Sequence, residues 1–231
     1  MRDSWIGDIE IGDRWARWTG LVGDSCKHRH FSAQAILSSE PITVSDAAGM
    51  HTTAHLILID PLVPHRVEPG TRAQLIFVEP PYRPAAVDAL LRSWCERHQP
   101  AIVATADHDG FWTGWLRTGS SAVTRIDPRV AAATAAIDAR LEDGPLRLSD
   151  FAADAGLSPE RFRHLFAQEL QTPFRRFILW RRLVRAAAAL RAGGTVTAAA
   201  HVAGFADAAH FARVLKTSFG IRATQALTRK G

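Results

Sequence analysis

Two short segments follow the same helix-turn-helix pattern, and this repetition restricts the fold more than any other feature of the chain. The motif needs a small residue where its two helices touch, a glycine in the turn and apolar residues that hold the second helix in place. Residues 148–166 have Ala152, Gly156, Leu157, Phe162, Leu165 and Phe166 at these positions. Residues 196–215 have Ala200, Gly204, Phe205, Phe211 and Leu215. The turn glycines lie 48 residues apart, and the sequence predicts two motifs in tandem.

The charge of the chain is unevenly distributed. Residues 127–231 contain 16 Lys+Arg against 9 Asp+Glu, whereas residues 1–126 contain 12 against 14. A basic C-terminal half beside a slightly acidic N-terminal half is typical of a nucleic-acid-binding domain joined to a domain of another kind.

Proline, glycine and capping residues predict that residues 127–231 are helical, with roughly seven helices joined by short turns. The predicted N-caps are Asp127, Ser149, Ser158 and Asp207. The longest helix, residues 173–192, connects the two motifs and is about 30 Å long at 1.5 Å per residue. Successive major-groove faces of B-DNA lie about 34 Å apart, so this helix can hold two recognition helices in adjacent grooves.

The connecting helix is rich in arginine. It contains Arg175, Arg176, Arg181, Arg182, Arg185 and Arg191. Any single arginine here can simply belong to a solvated face, but the group favours contacts with phosphates. We therefore predict phosphate contacts for Ser158, Arg161, Arg175, Arg176, Arg181, Arg182 and Lys216.

The N-terminal part is β-rich to about residue 79, because short apolar runs at 33–37, 56–59 and 75–78 are separated by turn residues. Residues 84–98 have helical spacing, and this helix either pairs two copies of the chain or packs on its own domain. His28 and His30 share one face of a predicted strand, and His65 follows on a later strand. The three can be hydrogen-bonded within the sheet, line a small-molecule pocket, or bind a metal ion in a sensing or a catalytic site.

The C-terminal motifs resemble the AraC/XylS family of bacterial regulators. The resemblance covers about residues 128–228 and depends on GLSPERFRHLF (156–166), PFRRFI (173–178), AGFADAAHFARVLK (203–216) and FGI (219–221). It implies a domain of seven helices, binding to double-stranded promoter DNA, and activation of transcription through contact with RNA polymerase. The family's usual proline after FGI is absent, and residues 222–224 are Arg-Ala-Thr.

The resemblance also implies which residues contact bases. On the two recognition helices these are Glu160, Arg163, His164, Asp207, Ala208, Ala209 and Arg213. An arginine can bind guanine through two hydrogen bonds, and a glutamate can accept one from cytosine. The second helix has alanine where the family often has polar side chains, so we expect this helix to contribute less to base discrimination.

The N-terminal half resembles, more weakly, the cupin-like sensor domain that often precedes such a DNA-binding domain. The resemblance implies a small-molecule effector. Cupins that bind metal have a glutamate shortly after the second histidine, where this chain has Gln34, so we assign no cofactor and no catalytic residue. A metal sensor or a cupin-type metalloenzyme fused to a DNA-binding domain is the alternative, and an architectural DNA-binding protein is a third class.

The sequence thus predicts an α+β chain in three parts: a small cupin-like β-barrel sensor domain at 1–80, a helical segment at 81–126 that can mediate homodimerisation, and at 127–231 an all-α domain with two helix-turn-helix motifs joined by a long linker helix. No apolar run is long enough to span a membrane and the N-terminus does not have the pattern of a signal peptide, so we expect a cytoplasmic protein. The function expected is that of a transcription regulator, not an enzyme.

Overall fold

The computed structural model describes residues 5–12, 15–79, 102–105, 126–170 and 172–222. The chain divides into two compact units. The first, the sheet unit, comprises Met1–Thr124 and Lys216–Gly231, and the second, the helical unit, comprises Arg125–Leu215. The predicted helix at 84–98 lies outside the described residues.

The sheet unit is built on a seven-stranded antiparallel sheet with the order β1-β2-β6-β3-β4-β7, in which β5 pairs with β3. The strands are β1 (Ile6–Ile11), β2 (Trp15–Leu21), β3 (Ala33–Asp46), β4 (His51–Ile59), β5 (His65–Val67), β6 (Arg72–Val78) and β7 (Ile102–Thr105). The three apolar runs identified in the sequence form parts of β3, β4 and β6, as predicted. Their side chains, among them Ala35, Leu56, Leu58, Ile76 and Val78, form a buried cluster.

The sheet differs from the predicted barrel in two respects. Its path ends at β1 on one side and at β7 on the other, and these strands do not pair with each other in the described part of the chain, so the sheet is not closed. A barrel requires its first and last strands to pair. Strand β7 also lies beyond residue 80, where the sequence predicted the β-rich part to end. Its four residues are too few to show a clear alternation of apolar and polar side chains.

The described residues of the C-terminal part form six helices. These are α1 (Pro128–Ala139), α2 (Leu148–Asp154), α3 (Pro159–Leu170), α4 (Phe174–Arg191), α5 (Val196–Val202) and α6 (Ala208–Phe219). Helix α6 crosses the boundary between the units, since residues 216–219 are counted in the sheet unit.

Three of the four predicted N-caps are confirmed. The carboxylate of Asp127 accepts a hydrogen bond from Arg129 N at 2.9 Å, the hydroxyl of Ser158 accepts one from Arg161 N at 3.3 Å, and Asp207 accepts one from His210 N. The prediction for Ser149 is wrong because α2 begins at Leu148, so Arg147 is the N-cap residue and Ser149 lies inside the first turn.

The core of the helical unit consists largely of aromatic side chains. Phe151, Phe162, Phe166, Phe174 and Phe177 are buried and contact one another at ring-centroid distances of 5.3 to 6.3 Å. These rings come from helices α2, α3 and α4, so they join the first motif to the connecting helix. Among the helices that the structure describes, none has both the length and the apolar character that crossing a membrane requires.

Candidate nucleic-acid interface and histidine cluster

The first helix-turn-helix motif consists of α2 and α3, with Gly156 in the turn. Gly156 has φ of 65°, the left-handed conformation that glycine adopts without a Cβ penalty. Ala152 is fully buried where the two helices meet, and Phe162 and Phe166 are fully buried beneath α3. The small contact residue, the turn and the two phenylalanine anchors are therefore placed as predicted, whereas Leu165 is only half-buried.

The face of α3 opposite these phenylalanines is polar and exposed. It presents Glu160, Arg161, Arg163 and His164. Helical geometry produces this separation, because residues 162 and 166 lie one turn apart and point inward, whereas 160, 163 and 164 are rotated away. The arrangement allows the exposed face of α3 to enter a groove of DNA while the buried phenylalanines hold the helix to its domain. Ser158 is also exposed, with its hydroxyl at the first turn of the helix.

The second motif consists of α5 and α6, with Gly204 in the turn at φ of 75°. Ala200, Phe205, Phe211 and Leu215 are buried, as predicted. Ala209, Arg213 and Lys216 are exposed, and Ala208 is half-buried. The carboxylate of Asp207 is engaged as the N-cap of α6, and the ring of His210 packs edge-on against Phe205 at 5.4 Å.

The two outer faces thus differ in chemistry. On α3 the exposed side chains can donate and accept hydrogen bonds, whereas on α6 alanines occupy much of the corresponding surface. An alanine can contact a thymine methyl group but cannot form a hydrogen bond to a base.

Three arginines of α4 are bound within the helical unit. Arg181 forms two parallel hydrogen bonds to Asp138 of α1, at 2.7 and 3.1 Å, and its side chain is only 11% exposed. Arg182 donates to the carbonyl oxygen of Gly144 at 2.8 Å, and Arg185 pairs with Glu142. Burial lowers the pKa of Arg182 from its ordinary value.

These contacts revise the predicted phosphate set. The guanidinium of Arg181 is held by a carboxylate and that of Arg182 by a main-chain oxygen, so we no longer assign either to phosphate. Both instead attach α4 to α1 and to the segment that follows it. Arg175 and Arg176, at the start of α4, are exposed and stay in the predicted set, as does Arg161 on α3.

The sheet unit brings together the three histidines singled out in the sequence. His28 and His65 lie opposite each other in an antiparallel bridge and exchange main-chain hydrogen bonds of 2.8 and 2.9 Å. His30 is two residues from His28 and its ring points to the same cluster. The ring centroids are 4.3 Å apart for His28 and His65, 5.2 Å for His30 and His65, and 5.9 Å for His28 and His30.

Each histidine ring is held through its Nδ1 atom by a main-chain carbonyl two residues away. His28 Nδ1 lies 2.9 Å from Cys26 O, His30 Nδ1 lies 2.9 Å from Ser32 O, and His65 Nδ1 lies 2.9 Å from Val63 O. A carbonyl oxygen only accepts, so Nδ1 carries the hydrogen in His28 and His65, and the neutral ring of each has a lone pair on Nε2. His30 differs, because its Nε2 atom also faces an acceptor, the amide oxygen of Gln34, so these contacts do not fix its tautomer.

The histidines are buried and neutral. Burial and, to a smaller extent, the neighbouring His30 lower the pKa of His28 to about 3. Burial likewise lowers the pKa of His30, and hydrogen bonds to the oxygens of Gln34 and Ser32 offset part of this, so that the pKa is about 4. The pKa of His65 is well below its ordinary value because of burial and the proximity of the other two rings. The uncharged imidazole is the form that binds metal ions.

The cluster has one polar atom without a partner and two apolar neighbours. In the described part of the chain no group is hydrogen-bonded to the buried Nε2 atom of His65. The rings of Phe77 and Phe219, both in the same unit, lie 5.2 and 5.8 Å from the ring of His30. The side-chain amide oxygen of Gln34, Oε1, lies 3.0 Å from His30 Nε2.

Sequence reasoning did not identify Gln34 or the three carbonyls as parts of this cluster. Gln34 appeared only as the residue that replaces an expected glutamate, yet it is buried and contacts a histidine. The signal that could have shown its role is its spacing of four residues from His30 across the start of β3.

Comparison with known families places a helix-turn-helix domain in the C-terminal part. A family model described as a helix-turn-helix domain matches residues 151–229 and so includes both motifs. No curated protein matches the sequence.

Solved structures with a similar fold include ToxT of Vibrio cholerae. Its apo form is 10% identical, with a TM-score of 0.60, and the match covers 94% of this chain and 98% of ToxT. A ToxT structure with bound unsaturated fatty acid, also 10% identical, has a TM-score of 0.57 over 94% and 96% of the two chains. An AraC-type transcriptional regulator from Chromobacterium violaceum is 27% identical over 43% of this chain and 89% of its own, with a TM-score of 0.41. At 10% identity the likeness to ToxT concerns the fold.

Proposed function

We propose that this chain, whose residues 151–229 form an AraC-type helix-turn-helix domain, is a sequence-specific regulator of transcription that binds promoter DNA. The observation that carries the proposal is the outer face of α3. Four polar or charged side chains are exposed there, directly above two fully buried phenylalanines. A recognition helix needs this combination, because its inner side must hold it to the domain while its outer side reaches base edges.

Within this proposal Arg163 is the principal base contact. It is exposed, lies in the middle of α3, and has the planar donor group that fits the O6 and N7 atoms of guanine. Glu160 and His164 flank it on the same face and can contact neighbouring bases. Helix α6 docks in the next groove and contributes mainly shape and a phosphate contact through Lys216.

The proposal extends to how regulation is exerted. We propose that the bound protein activates transcription through RNA polymerase and that the sheet unit receives the signal. The likeness in fold to ToxT, which has been solved with a fatty acid bound, supports a ligand-receiving role for this chain. We propose no catalytic step for the chain.

The test begins with selection of bound sequences from random duplex DNA by the purified full chain. Affinity for the selected duplex and for a scrambled one is then measured by fluorescence anisotropy at several salt concentrations. We expect Arg163→Ala to weaken binding to the selected duplex by roughly 5- to 150-fold, equivalent to roughly 1–3 kcal/mol, and to relax the preference at one base position. Arg72→Ala is the matched control, since Arg72 is an exposed arginine of β6 in the sheet unit.

Two results would contradict the proposal. If no sequence is enriched, the chain does not discriminate between bases and an architectural role is favoured. If Arg163→Ala weakens binding to both duplexes equally, Arg163 contacts phosphate and the assignment of the reading face is wrong.

A further inference from the structure

We infer that His28, His30 and His65 form a binding site for a single divalent first-row transition-metal ion, with Zn²⁺ as the probe that defines it. The inference goes beyond the proposed function, because binding of the ion is measured on the protein without DNA. It depends on the position of the three rings, on the carbonyls that orient them and on the unsatisfied nitrogen of His65.

The first argument is distance. One ring nitrogen from each of the three histidines can be chosen so that all three atoms lie within 4.8 Å of one another. In a tetrahedral zinc site with Zn–N bonds of about 2.0–2.1 Å, the nitrogens are about 3.3 Å apart. Small rotations about the side-chain torsions close a gap of this size. The bridge between His28 and His65 keeps their Cα atoms in register, so the backbone need not move.

The second argument is the state of the rings. The carbonyls of Cys26 and Val63 hold the hydrogen of His28 and His65 on Nδ1, and the carbonyl of Ser32 can hold that of His30 there. His28 and His65 therefore offer the lone pair of Nε2, and His30 offers its own once the amide oxygen of Gln34 has moved from that atom. Metal-binding histidines in proteins are almost always oriented in this manner, by a carbonyl or carboxylate that accepts from the other ring nitrogen. The orienting contacts of a metal site are thus already formed.

The third argument is the unsatisfied atom. His65 is fully buried, and its Nε2 atom has no hydrogen-bond partner among the described residues. A buried polar atom in that condition costs roughly 1–3 kcal/mol. Coordination of an ion removes this cost. His30 differs, because the Gln34 side chain lies against its Nε2 atom, and this amide must turn away when the ion enters.

The donor set also determines which ions fit. Three neutral imidazoles suit Zn²⁺, Cu²⁺, Ni²⁺ or Fe²⁺ and leave a fourth position for water. Mg²⁺ and Ca²⁺ require several oxygen ligands, which this cluster does not supply. The aromatic rings of Phe77 and Phe219 contact His30 and limit access of bulk water to it.

The test is titration of the chelator-treated full chain with Zn²⁺ in a calorimeter, with Co²⁺ absorption spectra as a second readout. We expect one Zn²⁺ per chain, no binding of Mg²⁺, and an intense visible Co²⁺ spectrum typical of four-coordinate geometry. His65→Asn is the critical variant, because the asparagine amide can still donate to Val63 O but has no atom at the Nε2 position. We expect its affinity for Zn²⁺ to fall by at least about tenfold.

His51→Asn is the matched control, since His51 is an exposed histidine of β4 in the same unit. It should bind Zn²⁺ as the unsubstituted chain does. Circular dichroism confirms that each variant is folded, and His30→Asn repeats the test at a second ligand if His65→Asn unfolds. The inference is overturned if the unsubstituted chain binds no Zn²⁺, or if folded ligand variants bind it as tightly. Neither result would affect the proposed DNA binding, and loss of DNA binding would leave the zinc titration intact.

Discussion

The two turn glycines have the same conformation but different surroundings, and this difference predicts unequal effects of the same substitution. Gly156 has φ of 65° and Gly204 has φ of 75°. A Cβ atom added at Gly156 would meet nothing within 4 Å. One added at Gly204 would lie 1.8 Å from Leu141 O and 2.9 Å from Leu141 C.

The magnitudes follow from these distances. An alanine in the left-handed region costs roughly 1–2 kcal/mol, offset by about 0.5 kcal/mol because alanine restricts the unfolded chain more than glycine does. Gly156→Ala should therefore lower the free energy of unfolding by about 1 kcal/mol. Gly204→Ala incurs the same cost and must also displace the main chain at Leu141 by more than 1 Å. Overpacking of this kind adds about 1–3 kcal/mol or more, so we expect a total of about 3 kcal/mol.

The assay is guanidinium denaturation of the full chain, followed by the helical signal in circular dichroism, because the helices lie in or start from the helical unit. Gly193→Ala is the control. Gly193 has φ of 93° and open space around its Cβ position, so it reports the conformational cost alone. Costs for Gly156→Ala and Gly204→Ala that agree within about 0.5 kcal/mol would refute the reasoning, since the contact with Leu141 would then carry no penalty.

Three further predictions concern charges. Arg181→Ala should lower the free energy of unfolding by about 2 kcal/mol in denaturation experiments, because it removes two hydrogen bonds to the carboxylate of Asp138 in α1, and unchanged stability would show that the pair is dispensable. Arg176→Ala should leave the free energy of unfolding unchanged. It should make the slope of log binding constant against log salt concentration less steep by about 0.9, and an unchanged slope would remove Arg176 from the phosphate set. In the metal-free protein the pKa values of His28 and His30, about 3 and 4, are below the ordinary 6.5, so the unfolded chain takes up protons first as the pH falls. The stabilising contribution of these two histidines should be fully present above pH 6.5. Between pH 6.5 and 4 the free energy of unfolding should fall by about 1.4 kcal/mol per pH unit for each of them. A denaturation midpoint unchanged between pH 7.5 and 5 would contradict this.

The helical unit could be predicted from the sequence because its signals are local. A glycine turn, a capping residue and apolar side chains at helical spacing lie within about twenty residues of one another in each motif. Phe162 and Phe166 are buried and Arg163 is exposed simply because of their positions around one helix. Such patterns need no knowledge of the tertiary structure.

The partners of the α4 arginines could not be predicted in this way. Arg181 and Asp138 are 43 residues apart, and nothing in the spacing indicates that α1 passes beside α4. From the sequence, a surface arginine facing phosphate and an arginine bound to a carboxylate look the same. The open sheet was missed for a related reason, since closure depends on pairing between β1 and β7, which are distant in sequence.

The histidine cluster could be predicted from the sequence only in part. The sequence predicted a strand with His28 and His30 on one face, but His28 forms only an isolated bridge and His30 lies outside the strands. The three rings lie close together nevertheless. The tautomer of the rings was not predictable, because it depends on the main-chain conformation beside each histidine.

The main-chain origin of those three carbonyls has a consequence for how this protein can change over evolutionary time. A carbonyl oxygen is present whichever side chain a residue carries, so Cys26, Ser32 and Val63 can be replaced without loss of the acceptor that orients each ring. Insertion or deletion of one residue beside a histidine would instead shift that ring away from its acceptor. Among descendants of this gene we therefore expect the spacing of the histidines to be kept while the identities of their neighbours drift.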